Sequence, residues 1–419
     1  MQIHWAAAFA VGIVMCAKAA RAEECASVDR SNVVRCAEAA SLQVRMQQRD
    51  VDIAGARATV AATILPSNPN LLVTGGRRNA DAVPRGATNW YATLSQEVEI
   101  AGQRGLRRDV AAHAEASERR QVVATERDVA AQALASYFDA LAANEQLRLA
   151  RRLEDVGANV AKATRARADS GVASPLEADV ADAASLALVR ARLGAEREAD
   201  RARVELTSLL GGDALGALVD VSGELAPLAL PQGIDAVVDG QPELQALEQQ
   251  RLAQTAQADV LRRTRIPNAT LQVYVQNDGF NERVYGGGVS FPIPLPSPLG
   301  RTNRGEIGEA EARAARIATE VESGRREVRR RIAIAGRALA SRRREVDAFT
   351  PERVKRAEQT LADIGAEVSA GRLAVRDAVI AQQSLIELLR GWIVARRDLC
   401  VASVELARAT GIELERGAR

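Results

Sequence analysis

The sequence predicts a mainly α fold with a small β part, and three observations carry that prediction. Aromatics make up only 3% of the 419 residues against 47% for the whole apolar set, so Ala, Val and Leu must supply the core. A large all-β fold would need more Phe, Tyr and Trp. Two very long stretches read as helix: Gln103 to Ala168 has no proline and, beyond its first turn, one glycine, Gly157, while the only proline from Thr302 to Val368 is Pro351. Four short stretches instead alternate apolar and polar residues with period two, the mark of strands.

The N-terminus has the pattern of an export signal over residues 1–22. Trp5 to Ala17 is a short apolar run, and Ala20-Arg21-Ala22 supplies a small-x-small cleavage site. Cleavage there removes Lys18 and Arg21 and no acid, leaving 54 basic and 54 acidic residues. That neutrality argues against a nucleic-acid partner. Among the cysteines, Cys25 and Cys36 are close enough to form a disulfide in an oxidising compartment, with two free thiols as the alternative. Cys400 falls within a helical pattern and reads as a small buried apolar residue. No later stretch reaches ~18 uninterrupted apolar residues, so no membrane-spanning helix is expected.

Catalytic chemistry finds little support. The two histidines are His4, in the leader, and His113. There is no CxxC, HExxH or GxxxxGK[ST] pattern, so zinc, triad and phosphate-loop chemistry lack their residues. The reading is of a non-enzyme with no cofactor and no resident metal. The arginine runs (Arg325-Arg326, Arg329 to Arg331, Arg342 to Arg344) read as a solvated helix face with acid partners such as Glu327 and Glu345.

The chain divides into two similar halves, 23–210 and 241–419, joined by a linker over 211–240. Each half has a helix, a proline-asparagine pair (Pro69-Asn70, Pro267-Asn268), two alternating stretches, a very long helix, a glycine break and a closing helix. The breaks are Ser170-Gly171-Val172 and Ala370-Gly371-Arg372. Matching order and length predict an internal duplication. Strands are expected around 69–76, 88–100, 268–277 and 284–295. In the second, Trp90, Ala92, Leu94, Val98 and Ile100 share one face; in the third, Ala269, Leu271, Val273 and Val275; in the fourth, Tyr285, Val289, Phe291, Ile293 and Leu295. Strands with one apolar and one polar face suit a barrel in lipid. Four do not close one, so several subunits would contribute; hairpins packed on helices are the alternative. The last helix shows a heptad run in Leu385, Trp392, Leu399 and Leu406, with Leu389 between. The first long helix has a stripe of Val122, Val129, Ala133, Ser136, Ala140 and Leu147. Such thin faces call for lateral packing into a bundle or tube.

The layout resembles the TolC family of outer-membrane efflux proteins over nearly all of the mature chain. The residues that carry the resemblance are the boundaries Ile100-Ala101-Gly102-Gln103-Arg104-Gly105 and Phe291-Pro292-Ile293-Pro294-Leu295, the run Gly300-Arg301-Thr302-Asn303-Arg304-Gly305, and the breaks at Gly171 and Gly371. Gln96 to Gly105 looks most like the cobalt-zinc-cadmium efflux branch. The resemblance implies a homotrimer whose protomers each give four strands to a twelve-stranded outer-membrane barrel, above a long-helix α-barrel crossing the periplasm of a Gram-negative bacterium. Trp90, Leu94, Val98, Leu271, Val273, Val289 and Phe291 would then face the lipid. It implies a periplasmic adaptor (membrane fusion) protein and an inner-membrane pump of the resistance-nodulation-division type as partners. Gly171, Val172, Gly371 and Leu373 would lie at the adaptor-docking tips, and Asp377 at an acidic constriction. A type I secretion channel, a drug-efflux channel or a periplasmic coiled-coil adaptor are the competing readings.

Overall fold

The computed structural model describes residues 25–78, 87–213, 215–229, 238–277, 282–295, 300, 302–412 and 414. The expected leader and both strand-connecting turns lie outside them, apart from the turn residues 75–78, 277 and 282. The chain forms two compact units. One holds the described residues of Met1–Arg45, Ala124–Gln241 and Glu327–Arg419; the other holds Met46–Val123 and Pro242–Arg326.

In chain order the helices are α1 (Val33–Ala40), α2 (Leu42–Ala61), α3 (Gln103–Asp169), α4 (Pro175–Leu209), α5 (Pro242–Arg263), α6 (Arg304–Ala348), α7 (Pro351–Ser369) and α8 (Val375–Thr410). The strands are β1 (Ser27–Val28), β2 (Asn70–Arg78), β3 (Ala87–Val98), β4 (Asp220–Val221), β5 (Ala269–Asn277) and β6 (Arg283–Ser290). The helix-dominated architecture with a four-stranded sheet agrees with the expected fold class.

The two long helical stretches differ. The first is one helix of 67 residues, α3. The second breaks between α6 and α7, because Pro351 has no N–H to give and its ring excludes a preceding helical turn. Thr350 turns that break into a helix start: its side chain accepts a hydrogen bond from the Arg353 N–H, and Pro351 takes the first helical position.

In the first unit the core gathers Tyr137 and Phe138, ring centroids 5.4 Å apart, with Leu134, Leu206 and Val404. The Tyr137 hydroxyl donates to the Ser222 carbonyl at 2.7 Å. Burial pushes this phenol up to about 12. The N-terminal segment is tied down twice. Strand β1 pairs in parallel with β4, and Cys25 and Cys36 are joined with Cα atoms 6.0 Å apart. Cys400 is fully buried, and burial pushes its thiol up to about 12.

The expected heptad of α8 holds in part: Leu389, Leu399 and Leu406 are buried. Leu385 and Trp392 are only half-buried. The row spaced alternately by four and three runs instead through Gln382, Ile386, Leu389, Ile393, Arg396, Cys400, Ser403, Ala407 and Thr410, all buried except the half-buried Arg396. Buried Ser403 and half-buried Arg396 bond the backbone: Ser403 Oγ accepts from the Leu228 N–H, and Arg396 donates to the Leu225 carbonyl. Trp392 sits beside the seam, 5.8 Å from the Phe349 ring and beneath Arg396. Although it contains charges, α8 is long and apolar enough by composition to cross a membrane.

A two-faced sheet and two helix tips

The second unit carries the sheet, ordered β2-β3-β5-β6 and antiparallel throughout. Its register sorts the side chains, because directly opposed residues share a face. Leu94 opposes Leu71 on one side and Val273 on the other; Ala92 opposes Val73 and Val275; Leu271 opposes Val289. Trp90, Leu94, Val98, Leu271, Val273 and Val289 therefore all lie on a single face, and Tyr285 joins them. This apolar face is open: Val273 is 59% exposed and Tyr285 72%. The opposite face carries Thr93, Ser95, Glu97, Thr270, Gln272 and Gln276, with Tyr91 and Tyr274 among them. There the Gly286-Gly287-Gly288 run gains a reason. A Cβ at Gly286 would lie 2.3 Å from the Tyr274 ring, so the glycine leaves room for that ring to cross the strand.

The fourth strand is shorter than expected. It ends at Ser290, so Phe291, Ile293 and Leu295 lie beyond it. Pro292 and Pro294 lack the N–H that a ladder needs. The other three strands match the expected ranges to within two residues.

The Ile100–Gly105 boundary motif meets the Pro267-Asn268 pair at the foot of the sheet. Gly102 adopts a left-handed φ of 76°, and this turn sends Gln103 inward, where it is buried. Gln103 Oε1 accepts from the Ala101 N–H, and Nε2 donates to Asn268 Oδ1 at 3.1 Å. Asn268 Nδ2 in turn donates to Glu97 at 2.7 Å. Glu99 pairs with Arg107, and Arg104 donates to the Ala62 carbonyl. Sequence reading marked both motifs but not the amide chain that joins them.

The first unit carries the tips. After α3, the Val172 N–H bonds the Arg167 carbonyl and the Gly171 N–H bonds that of Ala168, with Gly171 at φ 78°. After α7, Arg372 bonds Glu367 and Gly371 bonds Val368 in the same pattern, with Gly371 at φ 71°. Both are Schellman endings, in which a left-handed residue satisfies the last helical carbonyls. Val172 is exposed, whereas Leu373 is half-buried against the core. Asp377 occupies the third position of α8 and is exposed; Glu177 holds the same place in α4. Arg372 bonds Glu367 and holds its carboxyl below the ordinary value. No group of three or more His, Cys, Asp or Glu residues that could hold a metal ion occurs among the described residues.

Comparison with known proteins gives both features a family context. Residues 34–212 match the family model for outer membrane efflux proteins. A curated relative, the cobalt-zinc-cadmium resistance protein CzcC of Cupriavidus metallidurans, is 25% identical over 304 residues, covering 71% of each chain. Among solved structures, CusC superposes with a TM-score of 0.76 at 17% identity, covering 92% of both chains. The Campylobacter jejuni CmeC outer membrane channel gives 0.76 at 14% identity, covering 91% of this chain and 85% of its own. The family resembled by the sequence motifs is thus the one these relatives represent; its members are outer-membrane channels, not enzymes.

Proposed function

We propose that this chain is the outer-membrane duct of a tripartite efflux system, a passive exit path for metal ions or small toxic compounds, energised by an inner-membrane pump of the resistance-nodulation-division type. The observation that carries it is the sheet register, which gathers Trp90, Leu94, Val98, Leu271, Val273 and Val289 on one open face and leaves most of the hydroxyls, amides and carboxylates on the other. In this reading three copies each give four strands to a twelve-stranded barrel, apolar face outward and polar face toward water. The helices form the periplasmic tube, and the two halves descend from one duplicated unit. The likeness to CzcC favours metal efflux over protein secretion or drug export. Gly171, Val172, Gly371 and Leu373 mark the ends where a periplasmic adaptor docks.

Three copies of Asp377 around the trimer axis would make a cation-attracting ring at the closed end. The purified trimer in a planar bilayer tests both parts. The parent should form ohmic pores that multivalent cations block, and Asp377→Arg should abolish the block while trimers persist. Absence of pores would overturn the duct; unchanged block in the variant would overturn the ring alone.

A further inference from the structure

Beyond the duct reading, and resting on it, the outer rim of the apolar face carries a charge pattern that a plain hydrocarbon band does not need. Following the register outward from the helix-bearing end, the face runs Val98 and Ala269, then Gln96, Leu271 and Val289, then Leu71, Leu94 and Val273, then Val73, Ala92, Val275 and Tyr285, so that Gln96 is its one polar side chain inside that span. The next rung is Trp90, Asn277 and Arg283, and one rung further out Arg77 opposes Thr88. From Val98 to Trp90 the strand advances roughly 27 Å, which at a tilt near 45° spans roughly 19 Å of membrane. That is most of a barrel's apolar band. Trp90 and Tyr285 then sit where an aromatic girdle belongs, with two exposed arginines, Arg77 and Arg283, at and just beyond it on the same lipid-directed face. Neither arginine has a hydrogen-bond or ion-pair partner among the described residues. Face and level together put both guanidinium groups at headgroup depth in the outer leaflet.

We propose that Arg77 and Arg283 form a docking site for the phosphate groups of the outer-leaflet glycolipid. The chemistry follows from the residues. A guanidinium offers a planar fork of donors that matches phosphate oxygens, and it can lie against an aromatic ring while doing so. A zwitterionic headgroup screens its phosphate with its own cation; a glycolipid phosphate carries uncompensated charge. The two arginines stand on β2 and β6, the two edge strands of the sheet. When the barrel closes, β6 of one copy lies next to β2 of the following copy, so the site recurs at each of three seams.

The test uses the purified full-length trimer in detergent, titrated with diphosphoryl lipid A, dephosphorylated lipid A or inorganic phosphate, with thermal unfolding as readout. Diphosphoryl lipid A should raise the unfolding temperature and the other two should not. Arg77→Ala with Arg283→Ala should weaken the response about tenfold or more, as expected for losing charge-assisted hydrogen bonds, and Arg77→Lys with Arg283→Lys should restore part of it. An equal response to dephosphorylated lipid or free phosphate, or an unchanged response in the double alanine variant, overturns the proposal. Quenching of Trp90 fluorescence by bromine-labelled lipid is measured on the same samples. Loss of that quenching in the parent counts against the barrel reading itself, whereas intact quenching with no lipid A dependence counts against the arginine site alone.

Discussion

The two helix tips share one backbone and differ in what holds it. Each ends in a left-handed glycine with the same pair of capping bonds. The first tip is stabilised locally. Ser174 caps α4 by accepting from the Glu177 N–H and Pro175 opens the helix, while Arg165 reaches Asp179 and Asp182 in exposed pairs that add little. The second has no side-chain cap, because Ala374 stands where Ser174 does. It relies on burial of Val368 and Val375 and on Arg167, which donates to the Val368 carbonyl at 2.7 Å. The same turn therefore forms with either local or tertiary support, and the tip lacking a cap is the one pinned by Arg167, some 200 residues earlier in the chain.

That asymmetry sets the order of expected effects. Gly371→Val should be the most damaging single change. It forces a β-branched residue into the left-handed region, where strain costs about 1–3 kcal/mol, and its Cβ would meet the Arg167 guanidinium at 3.2 Å. Gly171→Ala, with open space around it, should cost only about 1 kcal/mol. Hydrogen exchange at the amides of each tip reads both; equal effects would remove the distinction. Arg167→Met should loosen the second tip by about 1 kcal/mol and leave the first tip's exchange unchanged. Ser174→Ala should do the reverse, costing the first tip about 1 kcal/mol, and Ala374→Ser should protect the second.

Acid gives a smaller and signed effect. Glu367 has its carboxyl lowered by the hydrogen bond from Arg372. Its contribution is present above the ordinary value of 4.5 and fades as pH falls through the lowered one. The protection factor at the Arg372 amide should therefore fall with acid, and Glu367→Gln should remove that fall. The least effect is expected from Arg165→Ala, since its ion pairs are exposed and screened. Unfolding of that variant should be indistinguishable from the parent within error.

The tips also show which parts of the fold the sequence discloses. Gly171, Gly371 and Pro175 announce their turns because the backbone demands them, and period two announces the strands. Pro351 stood in plain view, yet whether it kinks or ends a helix depends on Thr350 being free to cap. The Arg167 contact, the Gln103–Asn268–Glu97 chain and the strand register pair residues far apart in sequence, so no local pattern encodes them. In α8 the expected heptad was half right: Leu389, Leu399 and Leu406 are buried, but Leu385 and Trp392 are not. Leu385 and Trp392 marked a stripe beside the true seam, which runs through Cys400, Ser403 and Thr410, where small and polar residues allow close packing and bond the backbone. Phe291 misled for the opposite reason: its alternation continued past the residue where Pro292 ends the ladder.

The central claim is that one sheet face meets lipid and the other meets water, and cysteine scanning of β3 and β5 in the membrane-inserted protein tests it most directly. Single cysteines would replace Trp90, Leu94, Val98, Leu271 and Val273 on one face and Thr93, Ser95, Thr270 and Gln272 on the other. The account predicts strict alternation along each strand: the first set should react with a lipid-soluble maleimide and resist a charged one, and the second should react with the charged reagent. Uniform labelling of both sets by the charged reagent, or protection of both, would contradict it.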